Sequence, residues 1–155
     1  MKILHLIYDD INNPWLGGGG AFASYEINKR LAKKHKITVI TGNYPKAKNE
    51  IKEGIEYRRV GSNKSYIISR LTYSKRIKKI IKSMDYDIII DDFSPFSPTN
   101  SYKYAKKPVI CVLRNIFLTH SFKRFKFLGI LPYVAEKKAF KNYKKFLDTL
   151  SSTLY

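Results

Sequence analysis

Short apolar runs alternate along the chain with longer amphipathic segments. Five of the runs predict strands at residues 2–7, 37–40, 55–60, 86–91 and 108–113, and a sixth strand is predicted at 145–150. Most of these runs are unbroken rather than alternating between apolar and polar residues. That pattern is typical of parallel strands that helices cover on both faces.

Three segments between or after the strands have the period of an amphipathic helix. One begins at Ala21, a second spans residues 66–84 and a third spans residues 133–143. The stripes expected to face the core are Ala23, Ile27 and Leu31 in the first helix, and Ile67, Leu71, Ile77, Ile81 and Met84 in the second. The alternation predicts right-handed crossovers and a Rossmann-like α/β fold, with an open, doubly wound, mainly parallel sheet.

Four consecutive glycines, Gly17, Gly18, Gly19 and Gly20, lie between the first strand and the first helix. Glycine allows a close approach of the backbone to a ligand and a positive φ, and the free N–H groups of a helix start favour an anion. The loop is therefore expected to face a phosphate. A turn that binds no ligand is the alternative interpretation.

The glycine loop does not have the features of the two best-known phosphate-binding motifs. Its glycines lie well after the first strand, and Thr41-Gly42-Asn43 stands where a dinucleotide site needs an acidic residue. A Gly-Lys-Ser/Thr sequence is missing as well, which excludes a P-loop. NAD is therefore not expected as a ligand.

Composition adds a strong charge and a reducing environment. Thirty Lys and Arg residues against twelve Asp and Glu give a formal net charge of +18, which favours anionic partners without choosing among them. The single cysteine, Cys111, lies in an apolar run, so an intrachain disulfide and a Cys/His metal site are excluded. A cytoplasmic location is expected, and the chain has no apolar stretch long enough for a membrane span.

Several segments together resemble the N-terminal half of the family 4 retaining glycosyltransferases. They are the first strand Lys-Ile-Leu-His-Leu-Ile, the Gly-Gly-Gly-Gly-Ala loop, Leu-Ala-Lys-Lys-His-Lys with Ile-Thr-Val-Ile-Thr, residues 86–98, residues 107–113, Glu136 and residues 145–152. The resemblance implies one half of a GT-B fold, in which an N-terminal domain holds the acceptor. A C-terminal domain then holds most of the nucleotide-sugar.

The resemblance also implies roles for particular residues. Gly17 to Gly20 would approach the donor diphosphate, with neither metal nor cofactor required, and Asp92, Ser94 and Phe96 would lie on the acceptor side. Where the family commonly carries a histidine near the reacting sugar, this chain has Arg114 and Asn115, which are the candidate catalytic residues. Arginine can stabilise phosphate charge but cannot act as a base at neutral pH.

The domain organisation follows from the same resemblance. Residues 1–155 are expected to form a single domain without the C-terminal donor-binding domain, so this chain alone is not expected to transfer sugar. A separate C-terminal polypeptide is one expected partner. The competing hypothesis is a non-catalytic basic α/β module that binds an anionic membrane or nucleic acid.

Basic residues interleaved with aromatic ones suggest a surface for an anionic membrane and a lipid-linked or membrane glycan acceptor. The densest cluster contains Lys123, Arg124 and Lys126 beside Phe122, Phe125, Phe127 and Leu128. Such residues can insert at a lipid headgroup boundary while the cations attract anionic lipid. A solvated lysine-rich face is the plain alternative, and nucleic-acid binding is disfavoured because no recognised nucleic-acid-binding motif is visible.

Overall fold

The computed structural model describes residues 1–114, 116, 119, 122–123 and 126–148. Seven strands in these ranges form one sheet in the order β3-β4-β2-β1-β5-β6-β7. The strands are β1 (Lys2–Leu6), β2 (Lys36–Gly42), β3 (Glu50–Lys52), β4 (Ile55–Val60), β5 (Ile88–Asp92), β6 (Val109–Leu113) and β7 (Phe146–Asp148). The helices are α1 (Gly19–Leu31), α2 (Tyr66–Ser83) and α3 (Ile130–Asn142), with short 3₁₀ turns at Ser101–Lys103 and Lys126–Gly129.

The predicted α/β architecture is confirmed. All neighbouring strands are parallel except β3, which pairs with β4 in the antiparallel sense. Helix α2 packs Tyr73, Ile77 and Ile81 against one face of the sheet, whereas Tyr25 and Leu31 of α1 pack on the other. Each buried strand is therefore covered on both sides, which explains its continuous apolar sequence.

The strand predictions differ from the structure mainly at the ends. The prediction at 55–60 matches β4, and each end of the other predicted strands lies within two residues of the observed end. Strand β3 was not predicted, because Glu50–Lys52 is a three-residue edge strand without an apolar run. Residues 149 and 150 of the last predicted strand lie outside the described residues.

The predicted inner stripe of α1 is wrong at Ile27, whereas Leu31 packs against the core as predicted. Ile27 is 45% exposed, and the buried residues of the helix are Ala21, Ser24 and Asn28. Polar side chains can face the sheet here because they form hydrogen bonds with buried partners, which offset the cost of removing them from water. The apolar period of α1 therefore gave only part of the face that lies against the sheet.

The predicted stripe of α2 is correct in its C-terminal half and wrong in its N-terminal half. Ile77 and Ile81 are buried as expected, but Ile67 and Leu71 are 68% and 58% exposed. Ser69, Arg70 and Tyr73 face inward instead. This end of α2 lies beside the polar carboxyl edge of the sheet, where hydroxyl and guanidinium groups find partners.

The strand order reverses direction at β1. The chain runs from β1 to β2 on one side, then returns to place β5 on the other side of β1. Leu6 of β1 is in register with Ile40 of β2 and with Asp91 of β5. In an open α/β sheet the crevice at such a reversal, beyond the carboxyl ends of the strands, is the usual ligand site.

Candidate functional site

A cleft of about 250 Å³ opens at the carboxyl ends of β1 and β5, where the strand order reverses. Its walls come from the loop after β1, the start of α2, the loop after β5 and the residue after β6. The lining residues that carry polar or aromatic groups are Tyr8, Asp9, Tyr66, Arg70, Asp92, Phe93, Ser94, Phe96 and Arg114. The fold therefore brings residues far apart in sequence to one edge.

The glycine loop lies beside this cleft and provides an uncapped helix start. Gly18 is the N-cap of α1, and no side chain caps the helix. The Ala21 N–H donates to the Gly18 carbonyl at 3.0 Å, whereas the N–H groups of Gly19 and Gly20 form no hydrogen bond with the described residues and remain available to an anion. None of the four glycines has a positive φ, so their role is spatial rather than conformational.

The four glycines differ in what surrounds them. A Cβ at Gly17 would lie 3.2 Å from three backbone carbonyl oxygens, and a Cβ at Gly20 would lie 3.1 Å from Cδ of Arg114. Side chains at these two positions would disturb the packing. A Cβ at Gly18 or Gly19 would meet no atom within 4 Å, so the space beside these two residues is open to a ligand.

Arg114 follows β6 and reaches across to the end of β5. Its Nε donates to both carboxylate oxygens of Asp92 at 2.8 Å, and its Nη2 donates to Asp92 at 2.5 Å and to the Ser24 hydroxyl at 2.6 Å. These bonds fix one edge of the guanidinium. Nη1 takes part in none of them, so the other edge of the partly exposed side chain is available at the cleft.

Asp92 is the centre of a buried polar network that includes His5. Nδ1 of His5 lies 2.9 Å from the Asn28 side-chain oxygen, and its Nε2 lies 3.8 Å from Asp92. Burial opposes ionisation of Asp92, but the His5 ring and the Arg114 guanidinium outweigh it and hold the pKa of the carboxyl below its ordinary value. The network contains an ionised carboxylate that orients Arg114.

Asp9 is a second acid of the cleft, and its environment raises its pKa, whereas that of Asp92 is lowered. Burial raises the pKa of Asp9 from 3.8 to about 6, although Arg70 and Arg114 lower it and Asp92 raises it further. Its carboxylate lies beside Gly20, because a Cβ there would be 3.8 Å from Oδ2 of Asp9. The cleft therefore contains an acid that titrates close to neutral pH.

The structure brings together most of the predicted site residues. Asp92 and Arg114 are paired, Ser94 and Phe96 line the cleft, and the glycine loop lies next to Arg114. Asn115 and Arg124 lie outside the described residues. Lys123 and Lys126 are exposed and do not line the cleft.

The residues of the site that sequence reasoning missed include Tyr8, Asp9, Ser24, Tyr66 and Arg70. Asp9 could have been found, because an acid directly after a buried first strand lies at the ligand edge of a parallel sheet. Ser24 and Arg70 gave no such signal, since each sits in a helix whose apolar residues suggested a different inner face.

No group of three His, Cys, Asp or Glu side chains in the described ranges is arranged to hold a metal ion. No helix among the same residues is both long and apolar enough to cross a bilayer.

Comparison with known proteins bears on the family that the chain resembles. No curated protein matches the chain. A family model described as "Glycosyl transferase 4-like" matches residues 20–91, which run from the last residue of the glycine loop to the penultimate residue of β5. This match confirms that residues 20–91 resemble the corresponding part of the N-terminal half of the family 4 glycosyltransferases.

Proposed function

We propose that this domain serves in the transfer of a sugar from a nucleotide-sugar to an acceptor, with the glycine loop facing the donor diphosphate. The observation that carries the proposal is the open space at Gly18 and Gly19, at an uncapped helix start beside the cleft. A diphosphate needs N–H donors and close backbone approach, and this loop supplies both.

In the proposed site Arg114 stabilises the charge that develops on the departing diphosphate. Asp92 and Ser24 hold one edge of its guanidinium, which leaves Nη1 for a phosphate oxygen. Preorganised donors of this kind stabilise a transition state without rearranging during the reaction. Asn115 is proposed as a second catalytic residue on the resemblance alone. The proposed site uses N–H groups and arginine in place of a metal or cofactor.

On the acceptor side, the three residues proposed from sequence divide into two roles. Phe96 presents a partly exposed ring, 42% accessible, and the Ser94 hydroxyl lies in the same loop. Asp92 is engaged with Arg114 and Ser24, so we assign it to positioning Arg114 rather than to direct contact with the acceptor.

We further propose that a second, donor-binding domain or polypeptide completes the active site. The resemblance assigns most of the nucleotide-sugar contacts to that domain. Purified residues 1–155 are accordingly expected to bind a nucleoside diphosphate weakly and to transfer no sugar. Robust turnover of a nucleotide-sugar by this chain alone would contradict the proposal.

The variant Gly19→Ala tests the glycine loop. Its Cβ enters open space, and alanine is favoured over glycine inside a helix by about 1 kcal/mol, so the fold should be retained or slightly stabilised. Titration with UDP, GDP and ADP, followed by amide NMR shifts, should show weaker binding in the variant.

The matched control for Gly19→Ala is Arg30→Ala, which removes a full positive charge from the exposed far end of α1. If the loop faces the diphosphate, Gly19→Ala weakens binding by about tenfold, whereas the control changes it by less than about twofold. Equal affinity of Gly19→Ala and the unaltered chain, or shifts that avoid the glycine loop, would overturn the assignment.

An exposed surface on and before α3 supports the proposed association with the inner face of an anionic membrane. Phe127 and Leu131 are 82% and 69% exposed, and Leu128 and Ile130 are exposed beside them. Lys123 and Lys126 are exposed in the same region of the chain. Exposed apolar side chains flanked by lysines suit a headgroup boundary.

Flotation with phosphatidylglycerol vesicles tests this surface, with phosphatidylcholine vesicles as the control. Phe127→Ser and Leu131→Ser should reduce flotation with the anionic vesicles, because each removes an apolar contact without changing the charge. Tight, salt-sensitive binding of a short oligonucleotide without vesicle binding would instead favour the non-catalytic binding module.

A further inference from the structure

Arg70 is a buried cation that forms no ion pair with any of the residues the structure describes. Its side chain lies in the second turn of α2 and the residue is only 6% exposed. Nη1 donates to the Tyr66 hydroxyl at 2.5 Å, and Nη2 donates to the hydroxyls of Ser94 and Ser97 at 2.6 and 3.0 Å. Among the described residues, no carboxylate oxygen lies within 4.0 Å of its nitrogens. Nε is buried and forms no hydrogen bond.

Three aromatic rings replace a counter-ion around Arg70. The guanidinium carbon lies 4.4 Å from the ring centre of Tyr8, 5.2 Å from that of Tyr66 and 5.8 Å from that of Phe96. Cation–π contacts compensate part of the cost of burying a charge, but less than an ion pair with a carboxylate would. The charge of Arg70 is thus stabilised enough to remain buried and is still attractive to an anion.

The surroundings strengthen the positive potential at this point. The first turn of α2 contains no acidic residue, and the positive end of a helix dipole lies there. Asp9 also lines the cleft but lies beyond ion-pairing distance of Arg70. An anion that entered the cleft would meet a cation that no protein carboxylate has neutralised by contact.

The size and lining of the cleft restrict what the anion can be attached to. A volume of about 250 Å³ lies just below the roughly 300–1,000 Å³ of common small-molecule pockets, which suits one sugar ring. Tyr66 and Phe96 are 37% and 42% exposed, so their rings can pack on the apolar face of a sugar.

We infer that Arg70 binds the anionic group of an acidic sugar acceptor, a carboxylate or a phosphate, while the sugar ring packs against Tyr66 or Phe96. The inference rests on the proposed function, since it names the acceptor of that same site. It assigns to the chain a substrate class, acidic sugars, and a residue that selects it.

Binding of small sugars to the unaltered chain is the first test. The probes are methyl glucuronide, glucose 6-phosphate and the neutral methyl glucoside. Their binding is measured from the amide NMR shifts and from the Nε–H resonance of Arg70. At least one acidic probe should bind about tenfold tighter than the glucoside and shift the Arg70 resonance. The acidic probe that binds better distinguishes a carboxylate from a phosphate.

Arg70→Gln should abolish the preference for acidic sugars and leave binding of methyl glucoside nearly unchanged. Arg76→Gln is the matched control, because it makes the same substitution on an exposed position of the same helix. Tyr66→Ala is a second variant, at a partly exposed position. It should weaken the binding of all three probes, because the contact between the ring and the sugar is lost. The comparison of probes on the unaltered chain tests the inference even if Arg70→Gln does not fold.

Equal binding of acidic and neutral probes would overturn the inference, and so would equal losses in Arg70→Gln and Arg76→Gln. A structural role for Arg70 in holding the Ser94–Ser97 loop predicts a lower melting temperature with no preference for acidic sugars in the unaltered chain. The nucleoside diphosphate titration separates this result from the proposed function. Diphosphate binding that is sensitive to Gly19→Ala would survive if only the Arg70 inference failed.

Discussion

The ionised form of Asp9 is expected to destabilise the folded domain. Burial raises its pKa from 3.8 to about 6, so the folded state binds the proton more tightly than the unfolded state does. The cost of ionisation accumulates as the pH rises from 3.8 to about 6 and is constant above that. This pKa difference corresponds to about 3 kcal/mol of unfolding free energy at neutral pH.

Asp9→Asn tests this account by removing the titrating group while preserving the size of the side chain. Chemical unfolding at about pH 7.5 should show an unfolding free energy about 3 kcal/mol higher in the variant, and the gain should fall below about 1 kcal/mol near pH 4. Asp85→Asn is the control with the opposite sign. A hydrogen bond and attraction from Lys2 lower the pKa of this exposed carboxyl, so its loss should not stabilise the fold.

The refuting result for Asp9 is specific. An unfolding free energy that is unchanged or lower in Asp9→Asn at about pH 7.5 would contradict the claim that the buried, ionised carboxylate destabilises the fold. The claim also fails if the gain is the same at both pH values, because a pH-independent gain reflects packing or local strain rather than ionisation.

Three other predictions concern contacts at the cleft and in the core of the sheet. Gly42→Ala should lower the unfolding free energy by about 1–3 kcal/mol, measured by urea unfolding, because a Cβ there would lie 2.3 to 2.9 Å from ring atoms of Tyr8. Arg114→Gln should lower the unfolding free energy by about 3 kcal/mol, because it leaves Asp92 without its cation. Arg114→Lys should recover part of that free energy, and equal losses in the two variants would contradict the ion-pair account. Cys111 is fully buried, and burial raises the pKa of its thiol, so mass spectrometry should find maleimide labelling only after denaturation.

The sheet could be predicted from sequence because each buried strand carries its own signal. Runs such as residues 37–40 and 108–113 are apolar on both faces, and a strand covered on both sides by helices requires that pattern. Edge strand β3 has no such requirement, since Ile51 is 78% exposed. The sequence therefore did not predict β3, because an edge strand is not buried on both faces.

The inner faces of the helices were harder to predict than the strands, because polar residues occupy part of them. Ser24, Asn28 and Arg70 are each more than nine-tenths buried, and each has a partner supplied by a distant part of the chain. A hydrophobic period detects only faces that are stabilised by removing apolar area from water. It cannot detect a face that is stabilised by hydrogen bonds whose partners the fold brings close.

The glycine loop was the easiest part of the site to predict, and Arg70 was the hardest. Four adjacent glycines are visible in any reading of the sequence, whereas Arg70 is one of 30 basic residues. What distinguishes Arg70 is its burial without a carboxylate, and only three-dimensional structure shows it. Arg114 was found because it stands, after a buried strand, where the family that the chain resembles commonly carries a histidine.

The polar inner face of α1 has a consequence for how the site could change over time. Hydrogen bonds from Ser24 to Asp92 and between Asn28 and His5 fix the rotation and height of the helix more narrowly than apolar contacts would, because they depend on angle as well as distance. The same helix begins at the glycine loop, so these bonds determine where Gly18 and Gly19 lie. Substitutions at Ser24 or Asn28 would therefore shift the backbone of Gly18 and Gly19, and with it the proposed diphosphate site, without touching the loop itself.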